Sequence, residues 1–220
     1  MSGAPIAPIL VESLPYLLKA AGMTLAIALA VIPLAALLGG ILALARGFGP
    51  WPLRWLAASY VFVVRGVPLL ILLFVMYYAL PYAGIDLPPL SGGILVISLY
   101  YAAFLSEVFR AALESLPRSQ WDAGRSLGMN RAQLLRIVVI PQTLRLAAPP
   151  FLNICMMIVK GTSLISVIGV WELTLAGREV VERTFAPFQV LGGVAVIYFC
   201  ICFTLASVGR ALEAQRRYVY

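Results

Sequence analysis

The chain has 220 residues, of which 62% are hydrophobic and only 11% are charged, and its mean hydropathy is +0.98. About a quarter of the residues of a soluble domain are charged, so this composition excludes a soluble globular protein, and it excludes a disordered or collagen-like chain as well. It predicts an all-α, polytopic membrane protein, because each crossing helix needs about 20 mostly apolar residues. The length favours a single domain over residues 1–220.

The charge is also informative, because 16 Lys and Arg residues stand against 9 Asp and Glu residues, for a formal charge of +7. In a soluble protein such an excess would suggest nucleic acid, whereas in a membrane protein basic residues mark the cytoplasmic loops. We therefore expect membrane lipid rather than nucleic acid around this chain. Histidine is absent from the sequence, which removes the commonest metal ligand and general base, and we expect no metal, cofactor or catalytic residue.

Five apolar runs predict five transmembrane helices, over about 17–45, 56–80, 93–112, 149–170 and 188–207. The connections on one side carry far more basic residues than those on the other. The first set is Arg46, Arg54, Arg65, Arg110, Arg118, Arg125, Arg131, Arg136, Arg145, Arg210, Arg216 and Arg217, and the second is Lys19, Arg178 and Arg183. This bias predicts a cytoplasmic C-terminus and, with five crossings, an N-terminus outside.

Small residues recur at four-residue spacing in the first run, at Ala35, Gly39 and Ala43. Such a stripe lets two helix backbones approach closely in lipid. It indicates a helix contact either within this chain or with a partner.

The segment over about 113–146 differs from the apolar runs, because it contains five arginines together with Glu114 and Asp122. Ser119 and Asn130 are candidate N-caps, Gly128 is a candidate helix end, and Pro141 is expected to close the second of two short amphipathic helices. Long connections are usually functional. From composition alone, the pair is either a docking surface for a protein partner or a segment lying on anionic lipid.

The same segment contains an ordered set of residues that resembles the EAA loop of ABC importer permeases. The matching positions are Asp122, Ala123, Gly124, Gly128, Val138, Ile140 and Pro141. Two of them depart from the family pattern, since Asp122 replaces a glutamate and Gly124 replaces an alanine. The resemblance implies that this loop forms the coupling helix, which inserts into a groove on a separate ATPase subunit.

Further stretches in the same order narrow the resemblance to the histidine, glutamine and arginine permeases. They are Arg65–Leu70, Glu107–Arg110, Leu116–Gln120, Pro141–Gln142 and Lys160–Ile168. The resemblance implies a type I ABC importer permease in the bacterial inner membrane that moves a polar amino acid. It also implies a second permease subunit (the same chain or a paralogue), ABC ATPase subunits and an extracytoplasmic solute-binding protein.

ATP is expected on the partner, because a phosphate-binding P-loop needs Lys followed by Ser or Thr. The two lysines of this chain, Lys19 and Lys160, are followed by alanine and glycine. The chain is therefore expected not to be an enzyme.

The candidate substrate path is a face of the fourth span. Lys160 lies inside that span, where a charge is costly and is a functional candidate by default. Asn153, Met157 and Lys160 share a face at i, i+4 and i+7, and Thr162 and Ser163 follow a glycine that loosens the helix. Alternatively, Lys160 has a structural role, with Glu107 or Glu172 as its partner.

Glu107 is also three residues from Arg110, a spacing that permits an ion pair. The pair either anchors the helix at the membrane interface or acts as a gate-side bridge.

Two other classes of protein compete with the importer. A secondary transporter driven by an ion gradient would explain the spans, but it needs carboxylates within them, and no Asp or Glu lies mid-span. An intramembrane enzyme could use only a Ser163–Lys160 dyad, and the permease pattern already explains both residues.

Overall fold

The computed structural model describes residues 6–217, and side chains from residue 9 to residue 211. The described chain is helical throughout apart from short connections. Its α-helices are α1 Ile6–Phe48, α2 Trp51–Gly66, α3 Leu69–Phe74, α4 Pro89–Glu114, α5 Arg118–Ser126, α6 Arg131–Gln133, α7 Ile140–Gly161, α8 Leu173–Thr184 and α9 Pro187–Arg217. Between them lie the π-helical segments Val75–Ala79 and Leu134–Val139 and the 3-10 segments Leu80–Ala83 and Thr162–Ile168.

Four helical segments of the described chain are long and apolar enough to cross a membrane, namely Ile9–Phe48, Pro89–Glu114, Arg131–Ile168 and Pro187–Ala211. The bent pair Trp51–Gly66 and Leu69–Ala83 makes a fifth if it counts as one span. The prediction of an all-helical, polytopic membrane protein is therefore confirmed, with four or five spans. The first helix begins well before the predicted residue 17, and it contains Pro15 and Pro33.

The second predicted span, 56–80, is wrong as a continuous helix. The helix is interrupted at Val67, which is extended (φ −108°, ψ 135°), and Pro68 is the N-cap residue of α3. A proline disfavours helical geometry in the residue before it, and this restriction ends α2 at Gly66. The uninterrupted run of apolar residues concealed the break in the sequence.

The boundary predicted between the coupling loop and the fourth span is also wrong. Helical structure runs without a break from Arg131 to Ile168, so Pro141 does not close a helix. The π-helical segment Leu134–Val139 ends two residues before this proline. A wider turn accommodates a residue that lacks an N–H and would crowd the preceding turn. The loosening expected at Gly161 takes the form of a change from α to 3-10 geometry.

Contacts divide the chain into two compact units. Within the described residues, the first combines the chain up to Pro33, Pro68–Ser98 and the chain from Cys155, and the second combines Leu34–Val67 with Leu99–Ile154. In the first unit α8 packs on α1 and α9 through a buried cluster that includes Leu17, Leu173 and Val190.

In the second unit, α1 packs closely against α4 along the predicted stripe of small residues. Ala35 and Ala43 are buried. A Cβ added to Gly39 would lie 2.8 Å from the Leu105 Cβ and 3.0 Å from the Ala102 carbonyl oxygen. The stripe is therefore a contact within this chain.

Gly39→Val should destabilise the solubilised protein, because the new Cβ would meet the Ala102 carbonyl oxygen and the Leu105 Cβ of α4. Neither atom can move without a shift of the α4 backbone. Overpacking a tight helix contact typically costs about 1–3 kcal/mol. The matched control is Gly40→Val, since a Cβ at Gly40 meets nothing within 4 Å. Thermal unfolding in detergent measures both variants. Equal melting temperatures for the two would contradict the close packing at Gly39.

Candidate coupling segment and substrate path

The first helix of the candidate coupling segment is α5, and it begins two residues earlier than predicted. Pro117 is extended (φ −58°, ψ 139°) and occupies the N-cap position, so α5 starts at Arg118 and Ser119 lies in its first turn. The predicted N-cap at Ser119 is wrong. Proline lacks an N–H and is pre-set for a helix start, so it ends the preceding turn and begins the next helix without a side-chain cap.

The predicted helix end at Gly128 is confirmed. Gly128 adopts φ +73°, a left-handed conformation that suits glycine. Its N–H donates to the Arg125 carbonyl oxygen at 2.9 Å, and the Met129 N–H donates to the Gly124 carbonyl oxygen at 3.1 Å. These two hydrogen bonds form the Schellman arrangement that satisfies the last carbonyls of a helix. The direction in which the chain leaves α5 therefore depends on Gly128.

The predicted N-cap at Asn130 is also confirmed. The Asn130 side chain accepts from the Gln133 N–H at 2.9 Å, and the Gln133 side chain accepts from the Asn130 N–H at 3.0 Å. This reciprocal capping box fixes the start of the next helix. Both ends of the short connection after α5 are thus held by local hydrogen bonds.

The inner side of α5 packs against the π-helical segment. Leu116, Leu134 and Val139 form a buried cluster that Trp121 and Met129 flank. Gly124 faces the same cluster, and the Leu134 side chain occupies the space that a Cβ at Gly124 would need. This contact gives a physical reason for glycine at a position where the resembled pattern has alanine.

The outer side of α5 is open. Asp122 and Ala123 are exposed, and Asp122 pairs with Arg125 at 3.5 Å. Both side chains of this pair are 69% exposed, so it contributes little stability. Val138, Ile140 and Pro141 are partly buried. The predicted loop residues thus divide into an exposed face on α5 and a packed support beneath it.

Glu107 of α4 is the centre of a cluster of ion pairs. Its carboxylate lies 2.7 Å from Arg46 of α1, 2.8 Å from Arg110 and 3.6 Å from Arg65 of α2. Arg110 also reaches Glu114 at 2.6 Å. The spacing prediction for Glu107 and Arg110 is confirmed. The sequence offered no local signal for Arg46 or Arg65, which lie 61 and 42 positions away from Glu107.

The candidate path residues on α7 are exposed. Asn153, Met157 and Lys160 are all exposed, and their spacing along one helix places them on one side of it. Thr162 is buried, and its hydroxyl donates to the Val159 carbonyl oxygen at 2.8 Å. Ser163 is partly exposed and donates to the Lys160 carbonyl oxygen at 2.7 Å. Thr162 therefore stands apart from the exposed face.

The expected carboxylate partners of Lys160 are wrong. Glu107 is engaged by three arginines, and Glu172 is engaged by the N-terminus of α8 and by hydroxyls. Among the residues that the structure describes, Lys160 forms no ion pair within 4.0 Å. Its ammonium group is left for water, a ligand or another chain.

Glu172 forms a polar contact that joins three helices of the first unit. It is fully buried and caps α8, because its carboxylate accepts from the Thr174 N–H at 2.8 Å and the Leu175 N–H at 3.0 Å. The same group accepts from Tyr198 of α9 at 2.8 Å and from Thr24 of α1 at 3.2 Å. Sequence reasoning missed this role, although an acidic residue before a helical run is an N-cap signal.

In the sequence, Glu172 lies outside the candidate spans, between Arg131–Ile168 and Pro187–Ala211. Burial raises the pKa of its carboxyl group above the ordinary value of 4.5. Hydrogen bonds from Tyr198, the α8 amides and Thr24 lower the pKa and offset only part of the rise. The folded protein therefore holds this proton more tightly than the unfolded chain does.

The stabilising contribution of that proton should be complete below the unfolded-state pKa and should fall as pH rises through the folded-state pKa. Glu172→Gln has no proton to lose at this position. The melting temperature of the native protein minus that of Glu172→Gln should therefore decrease as pH is raised above about 4.3. Thermal unfolding of both proteins across a pH series measures this difference in melting temperature. A difference that grows with pH would contradict the raised pKa.

Helical spans, a broken second span and a capped amphipathic helix after α4 define a class, the membrane subunits of ABC importers. The family model for the inner-membrane component of binding-protein-dependent transport systems matches residues 35–217. The chain therefore belongs to this family. It is a multi-pass inner-membrane permease component of a bacterial ABC importer, and it is a transport subunit rather than an enzyme.

Named relatives and a solved structure agree with this assignment. The chain is 34% identical over 205 residues to YckA of Bacillus subtilis, a probable amino-acid ABC transporter permease protein, with 93% of this chain and 91% of YckA covered. It is 33% identical over 207 residues to the glutamine transport system permease protein GlnP of Escherichia coli, with 93% and 94% covered. A crystal structure of an amino acid ABC transporter with histidines matches with a TM-score of 0.90 and 28% identity, covering 98% of this chain and 100% of that one.

These matches decide between the classes that the sequence left open. The importer permease is confirmed, and neither the ion-gradient transporter nor the intramembrane enzyme is supported.

Proposed function

We propose that this chain provides the transmembrane path for a polar amino acid, with its N-terminus outside and its C-terminus in the cytoplasm. The names of YckA and GlnP support the class of solute. The distribution of basic residues supports the orientation, because it places the arginine-rich connection between α4 and α7 on the cytoplasmic side.

In this proposal α5 is the coupling helix that a separate ATPase subunit binds. The observation that carries it is the division of α5 into two sides. Gly124 is buried on the inner side against Leu134, whereas Asp122 and Ala123 are exposed on the outer side. A helix whose inner side is packed against the rest of the protein can transmit the motion of a bound partner to the spans. ATP is then bound by the partner, and this chain supplies no nucleotide site.

Cross-linking tests the docking. A cysteine placed at exposed Gln120 of α5, in a chain whose three cysteines are replaced, should cross-link to the ATPase in membranes. The matched control is a cysteine at Phe188, which is 91% exposed and is the second residue of α9. Cross-linking from both positions alike, or from Phe188 alone, would contradict docking at α5.

Two further partners complete the assembly. A second permease subunit, a copy of this chain or a paralogue, is expected beside it, and a solute-binding protein is expected to deliver the amino acid from outside. Lys160 forms no ion pair with any residue whose side chain is described. This supports an arrangement in which the exposed side of α7 faces an aqueous path, since a lysine within a span must meet water or a polar group.

The exposed residues of that side have distinct roles in the proposal. The Lys160 ammonium group attracts the α-carboxylate of the solute, and the Asn153 amide supplies hydrogen bonds along the same helix. Met157 adds an adaptable apolar surface, and Ser163 follows at the change to 3-10 geometry.

Asn153→Ala should lower ATP-driven uptake by about tenfold without loss of assembly, because one hydrogen bond to the passing solute is lost. Uptake and ATP hydrolysis are measured together in reconstituted vesicles, so that uncoupling is visible. Gln189→Ala, an amide on α9 outside this side of α7, is the control. Normal uptake by Asn153→Ala would remove Asn153 from the path.

A further inference from the structure

An apolar cavity of about 380 Å³ lies in the second unit, between α1, α4 and α7. Its walls include the small residues Ala36, Gly40 and Ala147, and Phe109 and Phe151 also line it. We call it the acyl cavity. Its size is that of a small-ligand site, since such pockets range over about 300–1,000 Å³.

The acyl cavity offers a ligand no free polar group. The one hydroxyl among its lining residues belongs to Thr143, and it donates to the Val139 carbonyl oxygen at 2.8 Å. A ligand in this cavity is therefore hydrocarbon, because any polar group of the ligand would lose its hydrogen bonds there.

A second cavity of about 230 Å³ lies in the same unit and shares helix α1 with the acyl cavity. Leu44 lines the acyl cavity, and Phe48, one helical turn further along α1, lines the second. Trp121 of α5 lies against Phe48 with 6.2 Å between the ring centroids. Arg125 and Arg131 also line this second cavity, which we call the headgroup cavity.

The headgroup cavity carries positive charge that the protein does not neutralise. Arg125 has one ion pair, with Asp122 at 3.5 Å, and both side chains are 69% exposed. Arg131 is exposed and forms no ion pair with any residue whose side chain the structure describes. Guanidinium groups bind phosphate oxygens through paired hydrogen bonds, and the aromatic wall beside them is typical of the membrane interface.

We propose that the two cavities together bind one anionic phospholipid. An acyl chain occupies the acyl cavity, and the phosphate lies between Arg125 and Arg131, with the glycerol region against Trp121. A second permease copy would fill an apolar groove as well, but it would not require two arginines with a single carboxylate partner at one end of it. The lipid would bridge α1 and α5.

Photolabelling of the purified importer complex in phosphatidylcholine vesicles tests this site. The probe is phosphatidylglycerol with a photoreactive group on one acyl chain. The label should appear on peptides that contain residues 36–44 or 140–151. Unlabelled phosphatidylglycerol should suppress it, whereas added phosphatidylcholine or inorganic phosphate should not.

Variants separate the two cavities. Gly40→Leu places a side chain where a Cβ meets nothing within 4 Å, so it should fill the acyl cavity and abolish labelling. Gly47→Leu, which has equally open space but lines neither cavity, should label normally. Arg125→Gln and Arg131→Gln should each weaken competition by phosphatidylglycerol about fivefold. Arg136→Gln, an exposed arginine outside the headgroup cavity, should not.

Several outcomes would overturn the proposal. Equal competition by phosphatidylcholine would mean that the groove holds bulk lipid only, and displacement by inorganic phosphate would mean that the arginines bind a free anion. Unchanged labelling in Gly40→Leu would place the acyl chain elsewhere. If a photoreactive label attached to a cysteine at Gly40 cross-linked to a second permease chain, the occupant would be protein.

Discussion

Gly128→Val should abolish coupled uptake while leaving the spans assembled. Gly128 has φ +73°, and a left-handed conformation costs an ordinary residue about 1–2 kcal/mol, with β-branched residues disfavoured further. The substituted turn would escape this strain by breaking the hydrogen bonds from Gly128 and Met129 to the last carbonyls of α5. The helix would then lose the end that sets its direction.

Uptake should suffer more than stability, because α5 is short and its outer side is exposed. The strain of about 1–2 kcal/mol can be relieved by local opening of the last turn of α5, without unfolding of the spans. That turn belongs to the element proposed to transmit motion. The measurements are co-purification of the ATPase and ATP-driven uptake in vesicles. The variant should still insert, and its ATPase should be lost or should hydrolyse ATP without transport.

Gly128→Asn is the matched control, because asparagine tolerates the left-handed conformation better than other side chains. It should keep most of the uptake that Gly128→Val loses. If the valine variant binds the ATPase and transports at the native rate, the proposed role of α5 is wrong.

The sequence predicted the connection around α5 well because its signals are local. Gly128 and Asn130 act through hydrogen bonds to residues within four positions along the chain, so residue type and spacing suffice to identify them. Ser119 failed for an equally local reason, since Pro117 already occupied the cap position. Helix caps formed within about one helical turn can be predicted from the sequence without knowledge of the fold.

The spans were less readable, because apolar composition reports membrane insertion and not backbone geometry. The run over 56–80 gave one hydrophobic signal, although Pro68 divides it into two helices. Conversely, a helix end was predicted at Pro141 and the start of a span at residue 149, although one helical segment continues through both positions. Whether a proline breaks a helix depends on how the neighbouring turn adjusts, and that depends on packing.

The pairing of distant charges could not be predicted at all. Glu107 and Glu172 both looked like available partners for Lys160. Each is instead held by groups far away in sequence, Glu107 by Arg46 and Arg65, and Glu172 by Thr24. Only the fold determines which helices bring their ends together.

Glu107→Gln should strongly destabilise the second unit, because one carboxylate balances three guanidinium groups there. The Arg46 side chain is only 15% exposed and the Glu107 side chain 23%. Removing one partner from a fully buried pair costs about 3–5 kcal/mol. We expect about 2–3 kcal/mol here, since solvent reaches part of the cluster. Arg65 keeps its contact with the Phe104 ring, at 5.4 Å from the centroid.

Glu114→Gln is the matched control for charge. Glu114 also pairs with Arg110, at 2.6 Å, but its side chain is 64% exposed, so its loss should cost less than about 1 kcal/mol. The free energy of unfolding in detergent measures both variants. Equal losses would show that neither lower exposure nor more arginine partners makes Glu107 contribute more stability than Glu114. The cluster would then have no special stabilising role.

A double-mutant cycle separates the Glu107–Arg46 pair from the rest of the cluster. When Arg46→Gln is combined with Glu107→Gln, the loss should be smaller than the sum of the two single losses, because each single variant leaves a charge without its partner. Additive losses would mean that the 2.7 Å contact contributes nothing beyond its separate charges. A coupling energy between Glu107 and Arg46 would establish that their ion pair holds the end of α1 against α4.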